Sequence, residues 1–248
     1  MSLSSKLEKK AKSIRRDILD LAVKHRNSHI ASAFSCVEIL LTLYEKISPQ
    51  DRFIMSKGHG CLALYAVLHS KGFNPKIGGH PDIDKAHGVE CTTGSLGHGL
   101  PIGVGMAFAK KIKKQKGRVF VLIGDGECEE GTIWESLFLI KKLSLLNITV
   151  IIDNNGLQAL DYIENVMGAL ELKKKFRAFG FNTSEINGHD FKQLLDSLSR
   201  ACSDTDLPGV IIADTVKGKG LSFMENKPCW HARFPDKDLL RQAYRELT

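Results

Sequence analysis

Residues 119–131 read Val-Phe-Val-Leu-Ile-Gly-Asp-Gly-Glu-Cys-Glu-Glu-Gly, and residues 148–157 read Ile-Thr-Val-Ile-Ile-Asp-Asn-Asn-Gly-Leu. The apolar run that opens the first segment is short and β-branched, which predicts an interior strand ending at the glycine turn. Apolar residues at near-helical spacing within 132–146 predict a helix, and 147–152 has the composition of a second strand. Together these segments predict one βαβ unit.

An acidic loop and an amide-rich loop follow the two predicted strands. Because parallel strands end at the same edge of a sheet, we expect Asp125 and Asn155 to face one crevice although about thirty positions separate them. Both offer hard oxygen ligands, which Mg²⁺ and Ca²⁺ prefer, and phosphate oxygens commonly complete such a site. The spacing therefore indicates a diphosphate ligand held through a divalent metal ion.

A nicotinamide-binding turn is the competing interpretation of these glycines. Gly124, Gly126 and Gly131 do not have the spacing of the dinucleotide fingerprint. The acidic side chains of the turn would also repel a bare pyrophosphate, and a metal ion between carboxylate and phosphate removes that repulsion. Taken alone, the glycine turn also fits a plain strand-to-helix connection. Its pairing with the second loop favours the metal site.

The two loops resemble a known cofactor signature. Gly124-Asp125-Gly126, followed by Asn154-Asn155, is similar to the thiamine diphosphate signature. The wider stretch, including Glu130-Gly131 and Glu135, resembles the cofactor domain of transketolases. The resemblance implies a thiamine diphosphate-binding fold with Mg²⁺ (or Ca²⁺) as the bound ion.

Further segments resemble transketolases in the family's order. Arg-Phe-Ile-Met-Ser-Lys-Gly-His resembles the segment whose histidine contacts the cofactor diphosphate, and Gly-His-Pro resembles the turn that brings a histidine to the substrate. The Thr-Gly-Ser-Leu-Gly loop corresponds to one whose backbone touches the aminopyrimidine, and Trp-His to a segment that delivers another active-site histidine. Ser95 and His98 stand where full-length transketolases usually have proline and glutamine, so no role transfers to His98.

The resemblance assigns a role to each matching position. The implied metal ligands are Asp125, Asn155 and the carbonyl of Leu157. The implied cofactor contacts are His59, Gly94, Leu96, Gly124, Asp125, Gly126 and Asn155. The implied catalytic residues are His29, His80, His231, Glu130 and Glu135. Without the resemblance, a capping or loop role would be favoured for His59, and a packing or surface role for His231.

The family chemistry is the transfer of a two-carbon unit. A thiazolium carbanion attacks a ketose carbonyl, the adjacent carbon–carbon bond is cleaved, and the glycolaldehyde unit passes to an aldose. His29, His80 and His231 would then serve substrate hydroxyls, because histidine exchanges protons near neutral pH. Glu130 and Glu135 would belong to a carboxylate network that reaches a subunit interface and shares protons.

Composition limits the class of protein. The 248 residues suit one large domain, with 43% apolar residues and a net charge of +7. The basic balance favours anionic partners such as sugar phosphates. The lysines in 110–116 and 173–175 are expected at solvated helix ends, so we predict no nucleic-acid binding. Six scattered cysteines, with no secretory signal or long apolar run, predict a cytoplasmic protein that does not bind membranes.

The pattern of elements predicts an α/β fold with a doubly wound, mainly parallel sheet flanked by helices. Expected strands are 51–56, an edge strand at 182–186, and 209–215, besides the two quoted above. Expected helices include an opening amphipathic helix from Leu3, one capped by a Ser35–Glu38 capping box, and 61–71, 101–115, 170–178 and 236–247. Asp190 is expected to cap another helix, and 158–168 to be a loop. No composition break divides residues 1–248, which predicts one diphosphate- and metal-binding domain.

The resemblance covers nearly all of this chain and only the N-terminal part of a transketolase. In the family, the glutamate that activates the cofactor belongs to the pyrimidine-binding domain, and we expect neither that domain nor the C-terminal domain in this chain. We therefore expect the chain to be the N-terminal subunit of a split transketolase. It should be inactive without a second subunit, and an α₂β₂ assembly is expected.

Two other functions fit the cofactor domain. One is a subunit of a different thiamine diphosphate enzyme, similar to deoxyxylulose phosphate synthase or a 2-oxo acid dehydrogenase. The other is a non-catalytic cofactor-binding partner protein. The His80-Pro81, Thr-Gly-x-Leu-Gly and Trp-His segments favour transketolase among these.

Overall fold

The structure is a computed structural model that describes residues 3–203 and 206–248, so positions 1, 2, 204 and 205 of the predicted domain lie outside the described residues. The described part contains five strands, which are β1 (Arg52–Met55), β2 (Val119–Gly124), β3 (Ile148–Asn154), β4 (Asn182–Asn187) and β5 (Gly209–Asp214). Their order in the sheet is β1-β2-β3-β5-β4, and every neighbouring pair is parallel. The predicted parallel sheet, the βαβ unit and the edge position of β4 are confirmed.

Helices cover both faces of this sheet. In chain order they are α1 (Leu3–His25), α2 (Ile30–Phe34), α3 (Val37–Lys46), α4 (Cys61–Ser70), α5 (Gly99–Ile112), α6 (Gly131–Lys142), α7 (Ile163–Val166), α8 (Leu172–Ala178), α9 (Phe191–Ser203) and α10 (Lys237–Glu246). One core contains apolar residues of α1–α4, α9 and α10, and the other contains those of α5, α6 and α8. The doubly wound α/β architecture is therefore confirmed.

Strand β2 shows how one sequence run serves both cores. All six of its residues are buried. Phe120 and Leu122 point into one core, whereas Val119, Val121 and Ile123 point into the other. This alternation follows from the period-2 geometry of a strand, and burial on both faces explains the continuous apolar run. On one face α5 approaches closely, because a Cβ on Gly103 would lie 2.6 Å from Val121 Cγ2.

The predicted capping box at Ser35 and Glu38 is wrong. Cys36 is the N-cap of α3 and makes no side-chain cap hydrogen bond. Ser35 instead donates to Asp153 Oδ2 at 2.6 Å, and Glu38 accepts from Arg15. Tertiary partners offer both side chains stronger, charge-assisted hydrogen bonds than the local backbone does.

Other boundaries differ in detail. The predicted loop 158–168 contains the short helix α7, and α5 begins at Gly99 and ends at Ile112, earlier than expected at both ends. The short helix α2 was not predicted. Lys110, expected in solvent, is buried because its ammonium donates to the Gln50 and Lys116 carbonyls at 2.7 and 3.0 Å. The cap at Asp190 is confirmed, since it accepts from the backbone N–H groups of residues 192 and 193. No helix among residues 3–203 and 206–248 has the length and apolarity needed to cross a bilayer.

Candidate functional site

A cavity of about 260 Å³ lies at the carboxyl edge of the sheet. The loops that follow β1, β2 and β3 form its floor, as expected for a parallel sheet. Most of the residues predicted from sequence line it, namely His29, His59, His80, Gly94, Leu96, Gly124, Asp125, Gly126, Asn155, Leu157 and His231. Glu130 and Glu135 are not among the lining residues.

The loops after β2 and β3 are joined by hydrogen bonds to Asp125. Its Oδ2 accepts from the backbone N–H of Gly156 at 2.5 Å, and its Oδ1 accepts from that of Gly126 at 2.8 Å. Asn155 Oδ1 accepts from the backbone N–H of Leu157 at 3.2 Å, so this turn is also internally fixed. Asp125 is 2% exposed and lines the same cavity as Asn155. The expected meeting of the two loops is therefore present.

The environment of Asp125 disfavours its charge. Burial is the main cause, and together with the nearby Asp153 it raises the pKa of Asp125 to about 6. The backbone N–H groups of Gly156 and Gly126 act in the opposite direction. A cation bound to this carboxylate would favour the ionised form, because an opposite charge at short range lowers a carboxyl pKa.

Lys57 and Asp153 form a buried ion pair beneath the cavity. Lys57 is 1% exposed and its ammonium donates to Asp153 Oδ2, while Thr215 Oγ1 donates to Asp153 Oδ1. Burial opposes both charges, but each partner outweighs it, so the pKa of Lys57 is raised and that of Asp153 is lowered. Since Lys57 also lines the cavity, it places a fixed positive charge beside Asp125.

Lys217 provides a second buried ammonium group and is 2% exposed. It donates to the carbonyls of Leu157 and Gln158, both at 3.1 Å, and lies 3.0 Å from Nδ1 of His231. Burial and the charge of Lys57 lower the pKa of Lys217 to about 8. Lys217 thus joins the loop after β3 to the segment that carries His231.

Four histidines cluster at the cavity mouth. The ring centroid of His29 lies 6.0 Å from that of His59, 5.8 Å from that of His80 and 5.5 Å from that of His231. Burial lowers the pKa of His29, and burial and Lys217 lower the pKa of His231 to about 4. The pKa of His59 falls well below its usual value because of burial and Lys57. These three rings are therefore neutral at pH 7 and can accept a hydrogen bond from a hydroxyl group.

The loop with Gly94 reaches the cavity because this residue is glycine. Gly94 has φ +147°, and a Cβ there would lie 3.2 Å from the ring of His80. A side chain at this position would therefore strain the backbone and displace His80. Gly94 and Leu96 both line the cavity, and their contact with a cofactor stays a prediction.

The predicted carboxylates Glu130 and Glu135 are not buried in this chain. Glu130 is the N-cap of α6, and Glu135 lies on the outer side of that helix. The glutamate that lines the cavity together with Asp125 is Glu127, which accepts from Ser56, from the N–H of Gly97 at 2.8 Å and from that of Gly124 at 3.1 Å. Glu127 therefore fixes the glycine turn.

Sequence reasoning missed Glu127, Lys57 and Lys217. Each lies two or three residues after the end of a strand, and this position in the sequence could have indicated a place near the site. Lys57 and Lys217 stood inside motifs quoted for other residues, Lys-Gly-His and Lys-Gly-Lys-Gly. His98, which had no assigned role, is exposed and its Nδ1 lies 3.1 Å from the Leu96 carbonyl.

The donors in this cavity suit a divalent cation and an anion together. Asp125, Asn155 and the Leu157 carbonyl supply hard oxygens of the kind Mg²⁺ and Ca²⁺ prefer. Lys57 in the lining supplies positive charge for phosphate, and Lys217 adds a second positive charge behind Leu157. Ser32 Oγ is buried without a hydrogen-bond partner in the described structure, and the carbonyl of the same residue lies 3.2 Å from Lys57 Nζ. Nowhere in 3–203 or 206–248 do three or more His, Cys, Asp or Glu side chains form a metal-binding group. The candidate cation site described above has one carboxylate, one amide oxygen and one backbone carbonyl, so it is not a group of that kind.

Comparison with known proteins gives concordant matches. Residues 8–243 match the family model described as "Transketolase, thiamine diphosphate binding domain". The A subunit of the apulose-4-phosphate transketolase of Actinobacillus succinogenes is 39% identical over 97% of this chain and 95% of its own length. The 6-deoxy-6-sulfo-D-fructose transketolase subunit SqwG of Clostridium sp. is 32% identical over 97% of this chain and 96% of its own length.

A solved structure extends this similarity to three dimensions. The transketolase of Campylobacter jejuni superposes with a TM-score of 0.88 at 26% sequence identity. The match covers 100% of this chain but 43% of the Campylobacter chain. The fold thus corresponds to less than half of that enzyme.

Proposed function

Because the chain belongs to the transketolase thiamine diphosphate-binding domain family, we propose that it is the N-terminal subunit of a heteromeric transketolase. It would transfer a two-carbon ketol unit from a ketose phosphate to an aldose phosphate. The observation that carries this proposal is the convergence of Asp125 and Asn155 with the buried ammonium of Lys57 in one cavity, whose wall Lys217 supports from behind Leu157. Residues 1–248 would form one diphosphate- and metal-binding domain.

Asp125, Asn155 and the Leu157 carbonyl would hold Mg²⁺ (or Ca²⁺). The Leu157 carbonyl now accepts from Lys217, which would shift its ammonium toward phosphate when the ion binds. Lys57, Lys217 and His59 would face the diphosphate, and Gly124 and Gly126 would let it approach the backbone. Gly94 and Leu96 would lie against the aminopyrimidine. When bound, the cofactor supplies the nucleophilic carbon that allows a carbon–carbon bond beside a ketose carbonyl to be cleaved.

The histidines would handle the substrate's protons. His29 and His231 are neutral near pH 7 because burial lowers the pKa of each. Each can accept a hydroxyl proton as a base and return it, which is the exchange that ketol transfer requires. His80 lies across the cavity mouth from them and would orient a substrate hydroxyl.

The anionic character of the substrate is supported by charge and by the relatives. The chain carries a net charge of +7, which favours anionic partners. The names of two relatives specify a phosphorylated and a sulfonated sugar. We assign a sugar phosphate to this chain on that basis, and we place the protein in the cytoplasm because all six cysteines are free.

A second subunit would supply the pyrimidine-binding and C-terminal domains. Relatives of nearly the same length carry names that make each of them one subunit of a transketolase, which supports a two-chain enzyme. Helices α5 and α6 carry five exposed apolar side chains, here together called the α5–α6 outer face, namely Ile102, Phe108, Ile112, Phe138 and Leu139. Large exposed apolar patches are uncommon on monomeric proteins and mark interaction sites.

The α5–α6 outer face starts near the cavity. Both helices begin a few residues after lining positions, and Thr132 Oγ1 donates to the Gly97 carbonyl at 3.0 Å, so the first turn of α6 is joined to the segment just before α5. A second chain that covers this face would also reach the open side of the cavity. Glu130 and Glu135 would then lie between the two chains. The carboxylate network would form there, and two copies of each chain would give the α₂β₂ assembly.

Reconstitution tests the proposed function. The chain is purified alone and after co-expression with a candidate polypeptide that carries the pyrimidine-binding domain, and ketol transfer from a ketose phosphate to an aldose phosphate is measured with Mg²⁺ and thiamine diphosphate. We expect no turnover with the single chain and turnover with the pair. Full activity of the chain alone would overturn the requirement for a second chain, and absence of cofactor binding would overturn the cofactor assignment.

A further inference from the structure

His189 lies outside the cavity lining yet belongs to a hydrogen-bonded chain that reaches it. It follows β4, and its side chain is 13% exposed. Its Nδ1 lies 2.9 Å from Glu38 Oε2, and its Nε2 lies 2.8 Å from the backbone nitrogen of Val216. His189 therefore connects helix α3 to the loop that carries Lys217.

The partners of His189 determine where its proton lies. The Val216 N–H can only donate, so Nε2 must present a lone pair, and the ring is neutral with its hydrogen on Nδ1. That hydrogen is directed at the carboxylate of Glu38, which Arg15 holds with two hydrogen bonds of 2.8 Å. Arg15 and Glu38 are both 6% exposed. The ring is thus locked in orientation from the side away from the cavity.

The loop after β5 is fixed on both sides of Lys217. Val216 N–H donates to His189, and Gly218 N–H donates to the Ala31 carbonyl at 3.0 Å. Gly220 has φ +99°, and a Cβ there would lie 3.2 Å from Arg15 Cδ. Arg15 therefore supports this loop in two ways. It holds Glu38, which orients His189, and it packs against the loop at Gly220.

We propose that His189 is a positioning residue that sets the place of the Lys217 ammonium between the Leu157 carbonyl and the ring of His231. Its importance for catalysis rests on the proposed function, in which Leu157 and His231 serve the metal ion and the substrate. The positioning itself depends only on the hydrogen bonds described above. Without the acceptor for the Val216 N–H, the loop loses the contact next to Lys217, and the ammonium leaves one or more of its three partners.

Two amide substitutions separate positioning from simple packing. His189→Gln keeps an acceptor at the distance of Nε2, whereas His189→Asn ends at the distance of Nδ1 and reaches only Glu38. Both are neutral and smaller than the ring. We expect H189N to weaken Mg²⁺–thiamine diphosphate binding by the full chain about 10- to 100-fold, the usual cost of losing an outer contact of a metal site. H189Q should stay within about threefold of the wild type, and H87N, at a histidine paired with Asp84 outside the cavity, is the matched control.

Calorimetric titration measures the affinities, and ¹⁵N NMR of the His231 imidazole gives a readout that packing alone would not move. In the wild type, Nδ1 should show the shift of an unprotonated nitrogen that accepts a hydrogen bond, and H189N should change that shift while H189Q preserves it. Equal losses in both variants, or no change in either, would overturn the positioning role. If the wild type itself does not bind the cofactor, the proposed function fails, and the NMR comparison still decides the role of His189.

Discussion

The cavity floor and the α5–α6 outer face differ in which side chains are exposed to solvent. In the cavity floor and directly behind it, the charged side chains of Lys57, Asp125, Asp153 and Lys217 are at most 2% exposed. Each is hydrogen-bonded within the chain. On the outer face, Ile112 is 61% exposed and Phe138 is 66% exposed. Charges are thus sheltered where they would meet a cofactor, and apolar groups are exposed where they would meet a protein. The difference supports the proposals that the floor binds the cofactor and that the outer face binds a second subunit.

The largest effect is expected from breaking the buried ion pair. Lys57→Met leaves Asp153 buried without its cation, and removal of one member of a buried pair typically costs about 3–5 kcal/mol. Urea unfolding should show this loss. Asp153→Leu added to Lys57→Met should recover part of it, because the unpaired charge is removed. A loss in K57M below about 1 kcal/mol would show that the floor does not depend on this pair.

The next effect concerns the metal ligand. Asp125→Ala should lower the affinity for thiamine diphosphate in the presence of Mg²⁺ by more than about 100-fold, since even outer contacts of metal sites are worth 10- to 100-fold. Calorimetric titration with and without Mg²⁺ measures this. Asp196→Ala, on α9 and outside the cavity lining, is the control. Unchanged affinity in D125A would contradict the metal assignment.

A charge on the outer face should affect association and leave the fold intact. Phe138→Glu places a carboxylate on an exposed position and removes the contact of this ring with that of Phe179, 5.1 Å away, so the free energy of unfolding of the single chain in urea should fall by about 1 kcal/mol at most. Its affinity for the second subunit should fall at least about tenfold, because an aromatic anchor is lost and a charge is buried. Phe73→Glu, at a 42% exposed position outside this face, is the control. Equal affinities of F138E and the wild type would remove this face from the interface.

The smallest effect is a pH dependence from the cavity mouth, which lies between the two regions. Burial, followed by Lys217, lowers the pKa of His231 from 6.5 to about 4. The unfolded chain therefore binds this proton more readily, so the contribution to stability is complete above pH 6.5 and is lost as the pH falls toward 4. The ring is only half-buried, so solvent screening reduces the effect to about 1–2 kcal/mol.

Urea unfolding at pH 7 and at the acid end of that window, for the wild type and His231→Gln, measures this contribution. H231Q should lose less stability on acidification than the wild type does. The surface variant His25→Gln should keep the wild-type difference. Identical acid sensitivity of H231Q and the wild type would show that the ring protonates without penalty.

Local pattern was sufficient for the architecture and for the two loops of the cavity that carry Asp125 and Asn155. The β-branched runs of β2, β3 and β5 and the glycine turn at Gly124 carry their information within a few residues, and a parallel sheet brings their ends together. The motif resemblance added the histidines and Gly94, which pattern alone left as ordinary loop residues.

The predictions from sequence failed for side chains whose bonding partners lie far away along the chain. Ser35 and Glu38 have the spacing of a capping box, yet Asp153 and Arg15 bind them instead. Lys110 has the sequence context of a solvated lysine, but the fold brings the Gln50 carbonyl beside it. Lys217 could not be placed from sequence, because its three partners lie 14 to 60 positions away. Glu130 and Glu135 are exposed in this chain, and their part in a carboxylate network stays a prediction.

The burial of the cysteines differs enough for one of them to be labelled selectively with a probe. Burial raises the pKa of Cys36 and of Cys61 to about 12 each, so these sulfurs resist alkylation at neutral pH. Cys229 is exposed, and it lies two positions before His231. A maleimide dye would therefore react there first and place its fluorescence at the entrance of the cavity. Ligand binding and association with a second chain could then be followed optically on the unaltered sequence.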